Sequence, residues 1–234
     1  MKKITAIIAG VLLGSVLSCQ TSIAQTPETR SVGNFSGVSF SGAYDVTLQN
    51  SNETKVIVTG SDDVPNEDII TEVKGNMLHV RFKDNRRYRN INKSPKIVVY
   101  YKNLDCIENS GAVNLKNEGT LKSSSLKIDI SGAGNMNLNL ETEKLKVDMS
   151  GAGNLDLKGT ATNQDYDMSG AGNVKAFDLV GQNVSLDISG ASNAKVHAKS
   201  SLDVDISGAG KVRYRGNPSN VRSSDNRASS VKAE

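Results

Sequence analysis

Alternation of apolar and polar residues runs along much of the chain and predicts strands. In its clearest part, Leu145, Val147 and Met149 alternate with polar residues before a short small-residue segment, and Leu155 and Leu157 alternate after it. A period of two on both sides of the segment indicates two half-buried strands joined at a corner. An apolar stripe with helical spacing is not visible, so the pattern predicts an all-β fold.

The corner segment is repeated. It reads Asp-Met-Ser-Gly-Ala-Gly-Asn at residues 148–154, and related copies stand at 108–114, 129–135, 167–173, 187–193 and 205–211. The serines of these copies are separated by 21, 19, 19, 20 and 18 residues. A period near 20 is typical of a stacked repeat, in which no unit can bury its apolar edge alone. The unit is also too short for a strand-helix-strand crossover.

Stacking in register would place equivalent residues in columns about 4.8 Å apart. One such column would hold Ile128, Val147, Tyr166, Leu186 and Val204. We also expect the corner alanines to be packed against the neighbouring rungs, because every copy has a small residue there. The pattern therefore predicts a parallel β-solenoid with rungs of about 20 residues.

Regularity differs along the chain. We expect one solenoid domain over residues 25–215, with regular rungs over 104–215 and a less regular, β-rich part over 31–103. Strands are predicted in the less regular part at 55–59, 69–73, 77–82 and 97–101, and an early, degenerate rung is predicted around Ser41-Gly42-Ala43. The polar segment 216–234 is either a cap or a disordered tail.

The first 24 residues have the features of an export signal. Lys2 and Lys3 precede an apolar stretch over residues 4–17, and a small-residue cleavage site ends at Ala24. The stretch is shorter than the roughly 20 residues that span a bilayer. Lipidation of Cys19 is the alternative to cleavage after Ala24. Either route predicts an exported protein of the periplasm, cell surface or outer membrane, with membrane attachment only if Cys19 is lipidated.

Charge and cysteine content exclude some classes of protein. The formal charge of +3 falls to +1 without Lys2 and Lys3, too balanced for the basic face of a nucleic-acid-binding protein. Cys19 and Cys106 are the two cysteines, so removal of the signal leaves Cys106 without a partner. A disulfide framework is therefore not expected.

A column of aspartates is the main candidate for chemistry. It comprises Asp129, Asp148, Asp167, Asp187 and Asp205. Stacked carboxylates could bind calcium or act in polysaccharide cleavage. We favour a structural role, in which each aspartate accepts hydrogen bonds from the corner backbone and Lys127 and Lys146 offset the charge.

Other polar residues are also better explained by structure. The asparagines at 114, 135, 154, 173 and 193 predict a hydrogen-bonded amide ladder. Arg86, Arg87 and Arg89 form a solvated loop with Tyr88, although they could contact an acidic glycan or lipid headgroup. His79 and His197, the two histidines, stand beside no repeated nucleophile.

Neither of two ligand-binding glycine motifs is present. The calcium-binding glycine-rich repeat requires an aspartate that only Asp156 supplies, since the equivalent places hold Asn137, Lys175, Lys195 and Arg213. The segment 132–134 lacks the third glycine and the helix of a dinucleotide fingerprint. We expect no cofactor.

The repeated Ser-Gly-Ala-Gly-Asn corners behind an export signal resemble the head GIN domain family of autotransporter adhesins. The resemblance covers residues 31–215. It implies a right-handed, parallel β-helix-like fold in the cell envelope and supplies no catalytic residues. Together these features favour a non-enzymatic binding or scaffolding protein whose partner is a surface glycan or an envelope protein. The alternative is a polysaccharide lyase or hydrolase that uses the aspartate column.

Overall fold

The computed structural model describes residues 25–88, 91–224 and 226–234. The predicted export signal, with Cys19, lies outside these residues, and so does Arg89. Within the described part a 3₁₀ turn spans Asn66–Asp68. The strands are β1 (Glu28–Ser31), β2 (Gly37–Ser41), β3 (Ala43–Asn50), β4 (Lys55–Thr59), β5 (Ile69–Lys74), β6 (Met77–Phe82), β7 (Lys96–Tyr101), β8 (Cys106–Asn109), β9 (Ala112–Glu118), β10 (Leu121–Ile130), β11 (Ala133–Met149), β12 (Ala152–Met168), β13 (Asn173–Ile188), β14 (Asn193–Ile206), β15 (Lys211–Arg215), β16 (Asn220–Ser224) and β17 (Ser230–Ala233).

The strands form a β-solenoid of about 7 turns with rungs of about 19 residues, which confirms the predicted fold class. Strands β10 to β15 pair in parallel, each with the equivalent strand of the next rung. The predicted column is present in this register, and all its side chains are buried: Ile128, Val147, Tyr166, Leu186 and Val204.

The core is a set of such columns rather than one globular centre. Each buried valine, leucine or isoleucine contributes about 1.5–3 kcal/mol relative to an exposed one. Tyr166 brings a hydroxyl into this apolar core, and that hydroxyl donates to Gln164 Oε1 at 2.8 Å. Gln164 Nε2 in turn donates to the carbonyl oxygens of Ala161 and Leu179, both at 3.2 Å. The buried polar groups of Tyr166 and Gln164 therefore have hydrogen-bond partners.

The less regular part contains a rung that is out of sequence order. Strands β2 and β3 form the predicted early rung, with Ala43 opposite Ala112. They lie between β6 and β7 on one side and β8 and β9 on the other. After β3 the chain forms β6 and β7 on the outer side of this rung. It then crosses to the inner side, where β8 and β9 continue the stack.

Antiparallel strands cover the outer end of the stack. Strand β4 pairs antiparallel with β7 and with β1, and β5 pairs antiparallel with β6. An uncovered parallel rung would present unpaired backbone groups to another chain. This cover explains why the repeat pattern is weak in this part of the sequence.

The crowded residue of each corner is the first glycine, and the prediction for the alanines is wrong. The alanines at 133, 152, 171, 191 and 209 are exposed. A Cβ built on Gly151 would lie 1.9 Å from the carbonyl oxygen of Gly132, and the other first glycines meet similar distances. Close approach between rungs explains these glycines, whereas the left-handed φ of +125° at Gly134 is a separate requirement for backbone freedom.

The polar segment at the C-terminal end contains two strands on the last rung. Strand β16 pairs in parallel with β14, and β17 with β15. Between these strands Asn226 Nδ2 donates to the carbonyl oxygens of Ile206, Ser207 and Gly208 at 3.3, 3.0 and 2.9 Å. Its amide thus occupies the place that backbone N–H groups take at inner corners.

Candidate functional site

The aspartate column lies on the outer surface of the stack, before the corners. Asp129, Asp148, Asp167, Asp187 and Asp205 are register partners on successive rungs. Lys127 Nζ lies 3.5 Å from Asp129 Oδ2 and 3.2 Å from Asp148 Oδ2, and Lys146 Nζ lies 3.5 Å from Asp148 Oδ1. The expected charge offset by these lysines is confirmed. The hydrogen bond to Asp148 raises the pKa of the Lys127 ammonium.

Corner hydrogen bonds do not involve these aspartates, contrary to prediction. The backbone N–H groups of Ser150 and Gly151 donate instead to the carbonyl oxygen of Ile130 on the preceding rung, at 3.0 and 3.1 Å. The same arrangement recurs at the other corners. The carboxylates therefore do not accept the hydrogen bonds that stabilise the corners.

Later in the stack the column has no lysine beside it. The register partners of Lys146 are Asp165, Ser185 and then Asp203, so the surface around Asp167 becomes acidic. Among residues 25–88, 91–224 and 226–234, no group of three or more His, Cys, Asp or Glu side chains is placed to hold a metal ion.

The predicted asparagine ladder is confirmed. Each amide nitrogen donates to the amide oxygen of the preceding rung at 2.9–3.0 Å, through Asn135, Asn154, Asn173 and Asn193. At the outer end, Asn114 Nδ2 donates to Asp45 Oδ1 at 3.1 Å. Each inner amide of the ladder uses one N–H donor and one carbonyl lone pair for its neighbours, so the ladder has a structural role.

The arginine loop is partly built into the fold. Tyr88 is buried and its hydroxyl donates to Asp68, while Arg87 Nη1 lies 3.4 Å from Asp68 Oδ2. The Arg87 guanidinium also lies over the Tyr88 ring, 5.4 Å from its centroid. Arg86 is exposed, and Arg89 lies outside the described residues.

Sequence reasoning missed a break in register around Phe177. Ala176 pairs with Val196, but the next pair is Val180 with His197, so β13 has extra residues here. Phe177 is half-buried, and His197 Nδ1 lies 3.2 Å from its carbonyl oxygen. The ring lines a groove of about 230 Å³ with charged neighbours: Asp156, Lys158, Lys175, Asp178, Lys195 and Arg215. The signal available in the sequence was the 20-residue step at this repeat.

A second groove of about 460 Å³ lies on the outer surface formed by the residues that precede the aspartate column in each strand. Its walls include Asn163, Asn183 and Ser201, which form another ladder: Asn183 Nδ2 donates to Asn163 Oδ1 at 2.9 Å, and Ser201 Oγ donates to Asn183 Oδ1 at 2.8 Å. The side chains of this second ladder repeat from rung to rung and hydrogen-bond to one another, as in the asparagine ladder.

Short parallel rungs with repeated outward columns and an antiparallel cover define a β-solenoid protein. Residues 34–218 match the family described as "Putative auto-transporter adhesin, head GIN domain", and the chain belongs to that family. The resemblance inferred from the corners is thus confirmed.

Solved structures have the same fold. A "putative adhesin" from Bacteroides fragilis NCTC 9343 is 25% identical, with a TM-score of 0.85 over 91% of this chain and 98% of that one. A "putative adhesin" from Parabacteroides merdae ATCC 43184 is 21% identical, with a TM-score of 0.67 over 90% and 96%. A "Putative lipid binding protein" from Parabacteroides distasonis ATCC 8503 is 21% identical, with a TM-score of 0.62 over 89% and 96%. The two more distant likenesses show the fold alone.

A comparison with curated proteins finds no match. Within the described parts of the chain, no helix combines the length and the apolar character needed to cross a membrane.

Proposed function

We propose that this chain is a non-enzymatic, exported protein of the cell envelope with an adhesin-like binding or scaffolding role. The observation that supports this proposal is its regular outer surface, on which the same side chains repeat from rung to rung. An enzyme needs a locally unique set of groups, and the aspartate and asparagine columns provide none in the described residues. Membership of the adhesin family supports the same role.

The partner that we propose is a surface glycan or an envelope protein, and no nucleic acid. The test uses the full chain, immobilised and exposed to a glycan array and to solubilised envelope material. Saturable binding to one class of envelope component is expected. Absence of binding to both the array and the envelope material would contradict the proposal.

No observation in the described residues favours the alternative of a polysaccharide lyase or hydrolase. The aspartate column has five equivalent members, and Asp148 is paired with two lysines. Incubation with a panel of uronic-acid and neutral glycans provides the test. Cleavage that disappears in Asp148→Asn or Asp167→Asn would establish the enzyme instead.

Export by cleavage after Ala24 remains our proposal for the N-terminal segment, with lipidation of Cys19 as the other route. N-terminal mass analysis of exported material distinguishes a chain that begins at Gln25 from one that begins at a lipidated Cys19. On the proposed route, Cys19→Ala leaves export unchanged. Retention of the wild-type protein in membranes, lost in this variant, would show lipidation.

A further inference from the structure

We propose that a column of cations near the C-terminal end of the stack binds an acidic polysaccharide whose chain runs along the stack axis. The basic ladder, as we name it, consists of Lys175, Lys195, Arg213 and Lys232, which are register partners on four successive rungs. This inference rests on the proposed binding function and names its ligand. Its chemistry differs from that of the aspartate column considered above.

The basic ladder is costly to the fold on its own. Its charges lie opposite one another on strands about 4.8 Å apart, and like charges in that arrangement are destabilising. Elsewhere on the surface Lys127 and Lys122 have carboxylate partners at 3.2 and 2.8 Å. Within the described residues, Lys175 and Lys195 have no carboxylate within ion-pair distance.

Among the described residues, Glu234 is the one carboxylate that forms ion pairs at this end of the stack. Glu234 lies 3.4 Å from Arg213 Nη1 and 3.9 Å from Arg215 Nη2. A ligand with regularly spaced carboxylates would supply the missing counter-charges through charge-assisted hydrogen bonds. Lys175 and Lys195, which lie at rung spacing without a carboxylate within ion-pair distance, therefore point to an extended polyanion.

The register break adds an aromatic ring to the basic ladder. The Phe177 ring lies 4.2 Å from the Arg215 guanidinium and 5.5 Å from Lys195 Nζ, measured to the ring centroid. These cations hold the half-buried ring beside the groove. The apolar face of a sugar ring packs against such a side chain, while the cations bind its carboxylate. Asp156 and Asp178, in the same groove, can accept hydrogen bonds from sugar hydroxyls.

The same features disfavour an anionic membrane as the partner. Binding to a bilayer usually combines basic residues with exposed apolar side chains that enter it. Val221 is the one large exposed hydrophobic residue of the described part. The two groove carboxylates would also repel a dense layer of phosphates. A polymer with separated charges and many hydroxyls fits the groove better.

Gel retardation of the full chain by polygalacturonate tests the proposal, with dextran as the neutral polymer. We expect retardation by polygalacturonate alone, and a loss of binding as salt is raised. Lys175→Gln with Lys195→Gln should weaken binding by at least about tenfold, since the charge-assisted hydrogen bonds of both lysines to the polymer are lost. Phe177→Leu, which keeps an apolar side chain, should weaken it several-fold.

The matched control is Lys122→Gln with Lys144→Gln, which removes the same charge from exposed positions outside the basic ladder. Normal retardation of this control is expected, and neither double variant should have a lower unfolding midpoint than the wild-type chain. Equal losses of polygalacturonate binding in both double variants would contradict the assignment of the binding site to the basic ladder. Equal retardation by dextran would overturn the charge recognition.

Two parallel measurements separate this inference from the proposed function. Binding to envelope material without retardation by polygalacturonate would overturn the ligand and leave the adhesin-like role standing. Failure to bind either the envelope material or polygalacturonate would overturn both the proposed function and the proposed ligand. Binding to phosphatidylglycerol vesicles that depends on Lys175 and Lys195, without binding to the polymer, would replace the polysaccharide by a lipid headgroup.

Discussion

Replacement of a first corner glycine by alanine should destabilise the stack strongly. A Cβ on Gly151 would lie 1.9 Å from the carbonyl oxygen of Gly132, about 1.4 Å closer than the roughly 3.3 Å of a close carbon–oxygen contact. The neighbouring atoms are backbone and cannot rotate away. The two rungs would therefore have to separate at this corner by more than a quarter of their spacing of about 4.8 Å.

That separation would break the hydrogen bonds that cross the corner. Ser150 and Gly151 donate to the carbonyl oxygen of Ile130 at 3.0 and 3.1 Å, and Ala152 donates to that of Gly132 at 3.1 Å. Three such bonds contribute about 1.5–4.5 kcal/mol in total, and overpacking costs about 1–3 kcal/mol. The two effects overlap, so we expect a loss of about 2–4 kcal/mol, or about 4–16 °C in Tm.

Equilibrium unfolding in denaturant measures this loss, with Ala152→Leu as the control from the same corner. The Ala152 side chain is exposed, so the control should change the free energy of unfolding by no more than about 0.5 kcal/mol. Gly208→Ala should cost a similar amount, because its Cβ would lie 2.1 Å from the carbonyl oxygen of Gly190 and equivalent hydrogen bonds cross that corner. If Gly151→Ala were as harmless as Ala152→Leu, the explanation by rung contact would be refuted.

Three further predictions concern single side chains. Asn226→Ala removes the amide that caps the last corner and should cost about 1–3 kcal/mol; faster hydrogen exchange confined to the last rung checks it, and uniform exchange would contradict it. Tyr166→Phe leaves a buried amide oxygen without its donor and should cost about 1–3 kcal/mol in denaturant unfolding. Tyr101→Phe is its control and should be neutral or stabilising, because the Tyr101 hydroxyl is buried with no partner among the described residues. Burial raises the pKa of the Cys106 thiol, so its contribution to stability is present at neutral pH and is lost as pH rises above the ordinary thiol pKa. In a Cys19→Ala background, the pH profile of Cys106 alkylation should have a higher midpoint in the folded chain than in denaturant, and a lower midpoint would contradict this.

Columns of equivalent residues were predictable because the sequence shows both the alternation of apolar and polar residues and the length of the repeat. The alternation places Ile128 and Val147 inside, and the repeat length places them opposite each other. The asparagine ladder followed from the same reasoning, since a polar residue that recurs at one outward position must meet its own copy.

The corner residues could not be assigned from the sequence. Glycine and alanine are both small, and only the three-dimensional path shows that Gly151 approaches the next rung while Ala152 faces solvent. The out-of-order rung formed by β2 and β3 depends on pairing between segments far apart in the chain, which a local pattern does not encode.

Three of the four residues of the basic ladder could be aligned from the sequence. Lys175, Lys195 and Arg213 already align in the sequence at the position after each corner where the calcium-binding repeat would require an acid. Lys232 joins them only through pairing of β17 with β15, outside the regular repeat. The ring of Phe177 comes beside them through a register break, which sequence spacing shows only as one additional residue.

Binding without cleavage distinguishes an adhesin-like protein from a polysaccharide-cleaving enzyme, and one measurement tests it most directly. Polygalacturonate of defined length is mixed with the full chain, and light scattering behind size-exclusion chromatography follows both the complex and the polymer recovered from it. We expect a complex that dissociates at high salt and releases polymer of unchanged mass. Recovery of shortened polymer, with its length restored in Asp148→Asn or Asp167→Asn, would contradict binding without cleavage and show that the chain is an enzyme.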